Sequence, residues 1–293
     1  MQRREAVAAL LTGFTARLLT DAVPRAYERA EAPDFSPLER KLAGRLGVAV
    51  LDVRTGRRLA HRANERFPMC STFKWLLAAQ VLSRSDSGLE HLERIVPYST
   101  ADLLEYAPIT RAHVDAGGMT VSDLLAAAIQ YSDNTAANLL LRDVGGPASF
   151  TAYLRRLGDP VTRLDRTEPD LNSALPGDVR DTTTPNRMVA DMKTLLVGHQ
   201  LGATSRELLV DWLVGTTTGN DRLRAGVPTN WRVGDKTGTG AHGATNDVAI
   251  MWPSPGRPLL VAAYITETVA SLSARNETLA AIARIVVKWI GNT

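Results

Sequence analysis

The sequence predicts an α+β fold in which one sheet is assembled from the two ends of the chain around an inserted helical part. Three observations predict it. Strand-like apolar runs lie near the start, Val48-Ala49-Val50-Leu51, and near the end, Asp247 to Trp252 and Leu259 to Thr266. Between them, helical patterns dominate from Ser71 to about Leu213. No internal repeat or low-complexity linker breaks the chain, and 293 residues suffice for one large domain or two small ones.

At the N-terminus, Arg3-Arg4 precede the apolar run Ala6 to Leu11, the pattern of a twin-arginine export signal, although Arg17 and Asp21 interrupt its continuation. The segment 1–34 therefore has two readings, an export signal or a short amphipathic helix. Next, Leu38, Leu42 and Leu46 share one face of a helix, and the run 48–51 follows as a buried strand ending at the turn Thr55-Gly56. A helix beginning at Ser71 is supported by Trp75, Leu76, Leu77, Val81 and Leu82, and another spans Thr135 to Leu141. Lys236 to Gly240 reads as a strand, and Pro253-Ser254-Pro255-Gly256 as a hairpin-type connection between the last two strands. Leu279, Ile282, Val286 and Ile290 have helical spacing, with Asn276 as the expected cap. The boundaries that result are an α/β part from 35–65 and 214–293 and an all-α part from 66–213, with a cleft between them suited to a ligand.

Composition narrows the function classes. Apolar residues make up 44% and charged ones 22%, and the net charge of +3 arises from 34 basic and 31 acidic residues that are well mixed. Without a polybasic block, and with few aromatics to stack on bases, nucleic acid is not an expected partner. No stretch approaches 18 consecutive apolar residues, so no membrane-spanning helix is expected. His61, His91, His113, His199 and His242 are scattered without ligand spacing, so no metal or other cofactor is expected. Cys70 is the single cysteine, which excludes an intrachain disulfide; it directly precedes Ser71, and a catalytic thiol has to be weighed against a small buried hydrophobe.

Four strings carry chemistry. In Ser71-Thr72-Phe73-Lys74, the spacing of three puts an amine on the helix face of a hydroxyl, and a lysine kept neutral by burial or by nearby positive charge can take the serine proton. Alone, Ser71 could be a helix cap and Lys74 a surface charge. In Ser132-Asp133-Asn134, a turn before a helix presents Ser132 and Asn134 to a cleft, although the same string is a common helix start. Lys236-Thr237-Gly238 supplies a second cation, with Gly238 admitting close approach of a substrate to the backbone. Asp235 precedes it where a phosphate-binding loop would need glycine, so that motif fails. Arg166-Thr167-Glu168-Pro169-Asp170-Leu171-Asn172 adds a carboxylate able to drive water onto an acylated serine.

Together, over roughly residues 35 to 290, these strings resemble the class A serine β-lactamases. The resemblance implies a five-stranded antiparallel sheet flanked by helices plus an all-α domain, a monomeric periplasmic or secreted enzyme, and penicillins and cephalosporins as substrates. It implies Ser71 as nucleophile, Lys74 and Glu168 as rival acylation bases, and an oxyanion hole from the N–H groups of Ser71 and Thr239. Ser132 becomes a proton relay toward the lactam nitrogen, Asn134 a hydrogen-bonding partner of the acylamide, and Asn172 a second holder of the deacylating water. Lys236, Thr237, Gly238 and Thr239 line the substrate. Arg166 and Asp181 match the positions that close the Glu168 loop by an ion pair, and Pro169 fits a cis bond. Many members carry an arginine where Thr245 stands here; Arg222 matches an alternative arginine for the substrate carboxylate, with Arg224 two residues away. Tyr106 resembles an aromatic gate. Some members pair a cysteine at position 70 with one near the third motif, where Gly240 stands. A penicillin-binding D,D-peptidase and an acylated β-lactam sensor share the first three strings, but neither needs Glu168 and Asn172. A Ser-His-Asp hydrolase is disfavoured because no Gly-x-Ser-x-Gly is present.

Overall fold

Strands in chain order are β1 (Arg45–Asp52), β2 (Arg58–His61), β3 (Phe67–Pro68), β4 (Ile95–Pro97), β5 (Gly118–Thr120), β6 (Thr182–Thr183), β7 (Arg232–Thr239), β8 (Thr245–Trp252) and β9 (Leu259–Thr266). They come from a computed structural model that describes residues 33–291, so the Arg3-Arg4 segment lies outside the described residues. Five of them form one antiparallel sheet in the order β2-β1-β9-β8-β7. The last strand in sequence therefore lies beside the first, which joins the two chain ends. β1, β8 and β9 are buried almost throughout, which explains why they read as continuous apolar runs rather than alternating ones. β3 with β6 and β4 with β5 make two small two-stranded sheets.

The helices are α1 (Ser36–Leu42), α2 (Phe73–Asp86), α3 (Pro108–Ala112), α4 (Val121–Gln130), α5 (Asn134–Asp143), α6 (Gly146–Arg156), α7 (Pro185–Met192), α8 (Ala203–Val214) and α9 (Leu272–Gly291). On one sheet face Val48, Val50, Val261 and Ile265 pack with Leu279, Ile282 and Val286 of α9. On the other, Leu51, Ile250, Leu260 and Tyr264 join a larger core that continues into α2, α4 and α5. Every residue of α2 from Phe73 to Leu82 is buried, so the helix that begins two residues after Ser71 runs through the middle of that core.

Two local expectations are corrected. Leu46 does not continue the first helix: Ala43 takes a left-handed conformation at the C-cap of α1, and Leu46 lies in β1. Asn276 lies inside α9, which starts four residues before it, and the Ser271 hydroxyl instead accepts the Ala274 N–H at 3.2 Å. At Gly238 a Cβ would lie 2.7 Å from the Met69 carbonyl oxygen. Glycine there lets β7 pack closely on the Ser71 turn.

Candidate active site

Ser71 sits in a single 3-10 turn, Cys70–Thr72, that runs directly into α2, so Ser71 and Lys74 come to one side of the helix start. The Ser71 hydroxyl donates to Glu168 Oε1 at 3.1 Å, and Lys74 Nζ lies 3.0 Å from the same oxygen. Asn172 Nδ2 donates to Glu168 Oε2 at 2.5 Å. The other end of that amide, Asn172 Oδ1, is buried without a hydrogen-bond donor among the described residues.

Ser132 links the two lysines. Lys74 Nζ donates to its carbonyl oxygen at 2.7 Å and to Asn134 Oδ1 at 2.6 Å, while Lys236 Nζ donates to Ser132 Oγ at 3.0 Å. Ser132 has φ 58°, a left-handed conformation that non-glycine residues rarely adopt and that persists only where the surroundings hold it. Neighbouring Asp133 supplies such a hold. Its carboxylate caps α5 through Ala136 N–H at 2.9 Å and accepts the N–H groups of Ile109 and Thr110, each at 2.9 Å.

Electrostatics follow from burial. Desolvation pushes the Lys74 amine below its ordinary value, against the pull of the Glu168 carboxylate. Lys236 is held well below its ordinary value by burial and then by the Lys74 charge. Two amines in one dry pocket thus favour a neutral form of at least one. Burial and Glu168 push the Cys70 thiol up, which favours its neutral form. A Cβ on Gly240 would lie 2.7 Å from Cys70 Sγ, which places Gly240 against the cysteine.

Glu168 is carried by a loop closed on itself. Asp181 accepts Arg166 Nε at 2.6 Å and the main-chain N–H groups of Asp165 and Arg166 at 2.7 and 3.0 Å. The Glu168–Pro169 peptide is cis. Asn138 on α5 grips Glu168 from both sides, donating Nδ2 to its carbonyl oxygen at 2.9 Å and accepting its N–H at 3.0 Å.

Opposite lies the edge strand β7. Arg222 is 7% exposed, and its guanidinium donates to the carbonyl oxygens of Gly238 and Asn246 at 3.0 and 2.7 Å and to Thr239 Oγ1 at 2.7 Å. Arg224 instead pairs with Asp235. Thr237 Oγ1 lies 2.7 Å from Thr218 Oγ1, and Asn246 Nδ2 donates to the carbonyl oxygens of Pro68 and Met69 at 2.8 and 3.1 Å. Thr245 opens β8 and is buried. A cavity of about 380 Å³ is lined by Ser71, Tyr106, Ser132, Asn134, Asn172, Thr218, Arg222, Thr237, Gly238 and Thr239. Tyr106 stands at it 52% exposed, with its hydroxyl donating to the Tyr131 carbonyl oxygen at 3.2 Å.

Ser71, Ser132, Asn134, Asn172, Thr237 and Gly238 therefore line this cavity, and Lys74, Glu168 and Lys236 each share a hydrogen bond with one of its lining residues. Arg166, Pro169 and Asp181 lie behind it in the loop. Sequence reasoning missed Asn138, Thr218 and Asn246. Asn138 left a faint signal, a second asparagine four positions after Asn134 and so on the same helix face. Among the described residues, no three His, Cys, Asp or Glu side chains cluster as metal ligands, and no helix is long and apolar enough to cross a membrane.

Comparison with known proteins points the same way. Residues 32–290 match the model of the Beta-lactamase enzyme family. Beta-lactamase CTX-M-8 of Citrobacter amalonaticus is 48% identical over 252 residues, 86% of either chain. The carbapenem-hydrolyzing beta-lactamase KPC of Klebsiella oxytoca is 44% identical over 282 residues, 96% of this chain and 93% of its own. Among solved structures, an ancestral class A beta-lactamase of Gram-negative bacteria is similar with a TM-score of 0.85 and 59% identity, covering 87% of this chain and 97% of that one. Shared sequence along nearly the whole length, a shared sheet and a serine set among two lysines and a glutamate lead to one conclusion: the chain belongs to the class A serine β-lactamases, hydrolases that open β-lactams through an acyl-enzyme.

Proposed function

We propose that Ser71 is the nucleophile of this chain and Glu168 its deacylating base, acting on penicillins and cephalosporins. One observation carries the assignment: Ser71 Oγ and Lys74 Nζ meet on one oxygen of Glu168 while Asn172 holds the other. In acylation, Ser71 Oγ attacks the lactam carbonyl as its proton passes to Glu168 or to neutral Lys74. The oxyanion is received by the N–H groups of Ser71 and Thr239. As the C–N bond breaks, Ser132 gives its proton to the nitrogen, assisted by Lys236, which donates to Ser132 Oγ. In deacylation, water gives a proton to Glu168 and its oxygen to the ester carbon, with the orphan acceptor Asn172 Oδ1 orienting it. Collapse of the tetrahedral intermediate returns the proton to Ser71.

Asn134 has its Oδ1 committed to Lys74, which leaves its amide N–H groups for the acylamide of the substrate. Arg222, Lys236, Thr237 and Thr239 take the carboxylate end, Gly238 lies between them, and Tyr106 gates the cleft. Export to the periplasm or medium and action as a monomer complete the proposal. The test is Glu168→Ala. Turnover of a chromogenic cephalosporin is expected to fall by about 10²–10⁴-fold while intact-mass analysis shows a persistent adduct on Ser71; multiple turnover at the parent rate would refute the role of Glu168.

A further inference from the structure

A second cavity, of about 360 Å³, lies between α2 and α6. Arg84 is 13 residues beyond Ser71, so the cavity is about 20 Å from the nucleophile along the helix. Its lining is unusual for a seam between two helices. α2 presents Gln80, Ser83, Arg84 and Ser87, which share one helix face, and α6 presents Ser149 and Arg156. Leu89, Tyr153, Leu157 and Gln200 complete the lining, so polar side chains share a seam that apolar ones alone would normally close.

Two of these groups are unsatisfied. Gln80 is 3% exposed, and its Oε1 has no donor among the described residues. Its orientation is fixed chemically, because Nε2 lies 3.5 Å from the Ser149 carbonyl oxygen, which can only accept. Arg84 Nε is likewise buried without an acceptor. Among the described residues neither Arg84 nor Arg156 forms an ion pair, and the nearby carboxylates are engaged elsewhere. Glu90 holds Arg94 at 2.8 and 2.9 Å, and Asp86 accepts the Gly202 N–H at 2.8 Å and the Ser205 hydroxyl at 2.6 Å. The unpaired Nε–H of Arg84, whose Nη2 donates to the Leu89 carbonyl oxygen at 3.3 Å, calls for an anionic oxygen that Arg156 can share, and the unpaired acceptor of Gln80 calls for a hydroxyl.

We propose that this cavity is a second binding site, separate from the catalytic cleft, for a small hydroxylated anion of the sugar phosphate or sugar acid class. Its oxyanion lies between Arg84 and Arg156, and one of its hydroxyls donates to Gln80 Oε1.

Calorimetric titration of the whole protein at matched ionic strength tests this with four probes: glucose 6-phosphate, glucuronate, glucose and sulfate. Saturable binding of one sugar anion per chain is expected, with the phosphate or the carboxylate preferred according to the natural source. Glucose lacks the charge and sulfate lacks the hydroxyl, so neither should bind. Arg84→Ala and Arg156→Ala are expected to weaken the anion by about tenfold or more each while leaving β-lactam turnover unchanged, which also reports that they fold. Failure of both anions to bind overturns the proposal. So does equal binding of glucose or sulfate, full affinity in the exposed Arg156→Ala variant, or competition with a β-lactam in turnover, which would place the anion in the catalytic cleft.

Discussion

Asn138 holds the main chain of Glu168 by two hydrogen bonds, so the carboxylate is aimed at Ser71 from a fixed base rather than from a free loop. Asn138→Ala leaves a carbonyl and an N–H of Glu168 without that partner, and a cost of about 1–3 kcal/mol in stability is expected from urea unfolding. Deacylation should slow more than acylation, because Lys74 can also take the Ser71 proton whereas the water of the second step depends on Glu168 and Asn172 alone; pre-steady-state burst kinetics separate the two. Arg222→Ala should raise KM for carboxylate-bearing β-lactams, and unchanged kinetics would move the carboxylate role to another residue. Ser71, Lys74, Ser132, Glu168 and Lys236 were legible in the sequence because each belongs to a short contiguous string of reactive side-chain types. Asn138, Thr218 and Asn246 were not, since each works by touching main chain or a hydroxyl far away in sequence, as when Asn246 Nδ2 reaches Pro68 and Met69.

The loop that bears Glu168 is closed by Arg166 and Asp181, with Asp181 also capping two main-chain N–H groups. Asp181 is buried and Arg166 partly exposed, so removing the arginine strands a charge that has lost its counterpart. Arg166→Ala is expected to destabilise the loop by about 1–3 kcal/mol and to speed proteolytic cleavage within residues 163–181 before global unfolding. Cleavage no faster than in the parent would show that the main-chain contacts of Asp181 suffice. Elements with long apolar runs, β1, β8 and β9, could be read from sequence because burial on both faces leaves few polar residues in them. β2 could not. Its four residues Arg58–His61 form a sheet edge with a single buried leucine, and β3 to β6 have only two or three residues each, too few for any period to show.

At the scale of the molecule, one sheet is shared by both cores, with α1 and α9 on one face and the helical part on the other. We propose that the parts 35–65 with 214–293 and 66–213 are lobes of one cooperative unit, because the larger core crosses that boundary through Leu51, Ile250, Leu260 and Tyr264. A single unfolding transition followed by both tryptophan fluorescence and circular dichroism is expected. The pH dependence of that transition should carry the mark of one buried carboxyl. Asp191 on α7 is pushed up to about 8 by burial and by the facing Asp159, which outweigh its bonds from Arg187 at 3.1 and 2.8 Å. An acid held above its unfolded value keeps its proton in the native state while the unfolded chain has released it. Stability from this group is therefore fully present below about pH 4 and is lost as pH rises toward 8, by at most about 1.4 kcal/mol per pH unit. In Asp191→Asn the side chain is neutral at every pH and can still accept from Arg187. The variant should thus lose less stability than the parent between pH 5 and 8, as measured by urea unfolding at several pH values. Parallel curves for the two proteins would mean that Arg187 keeps Asp191 ionised in the folded state.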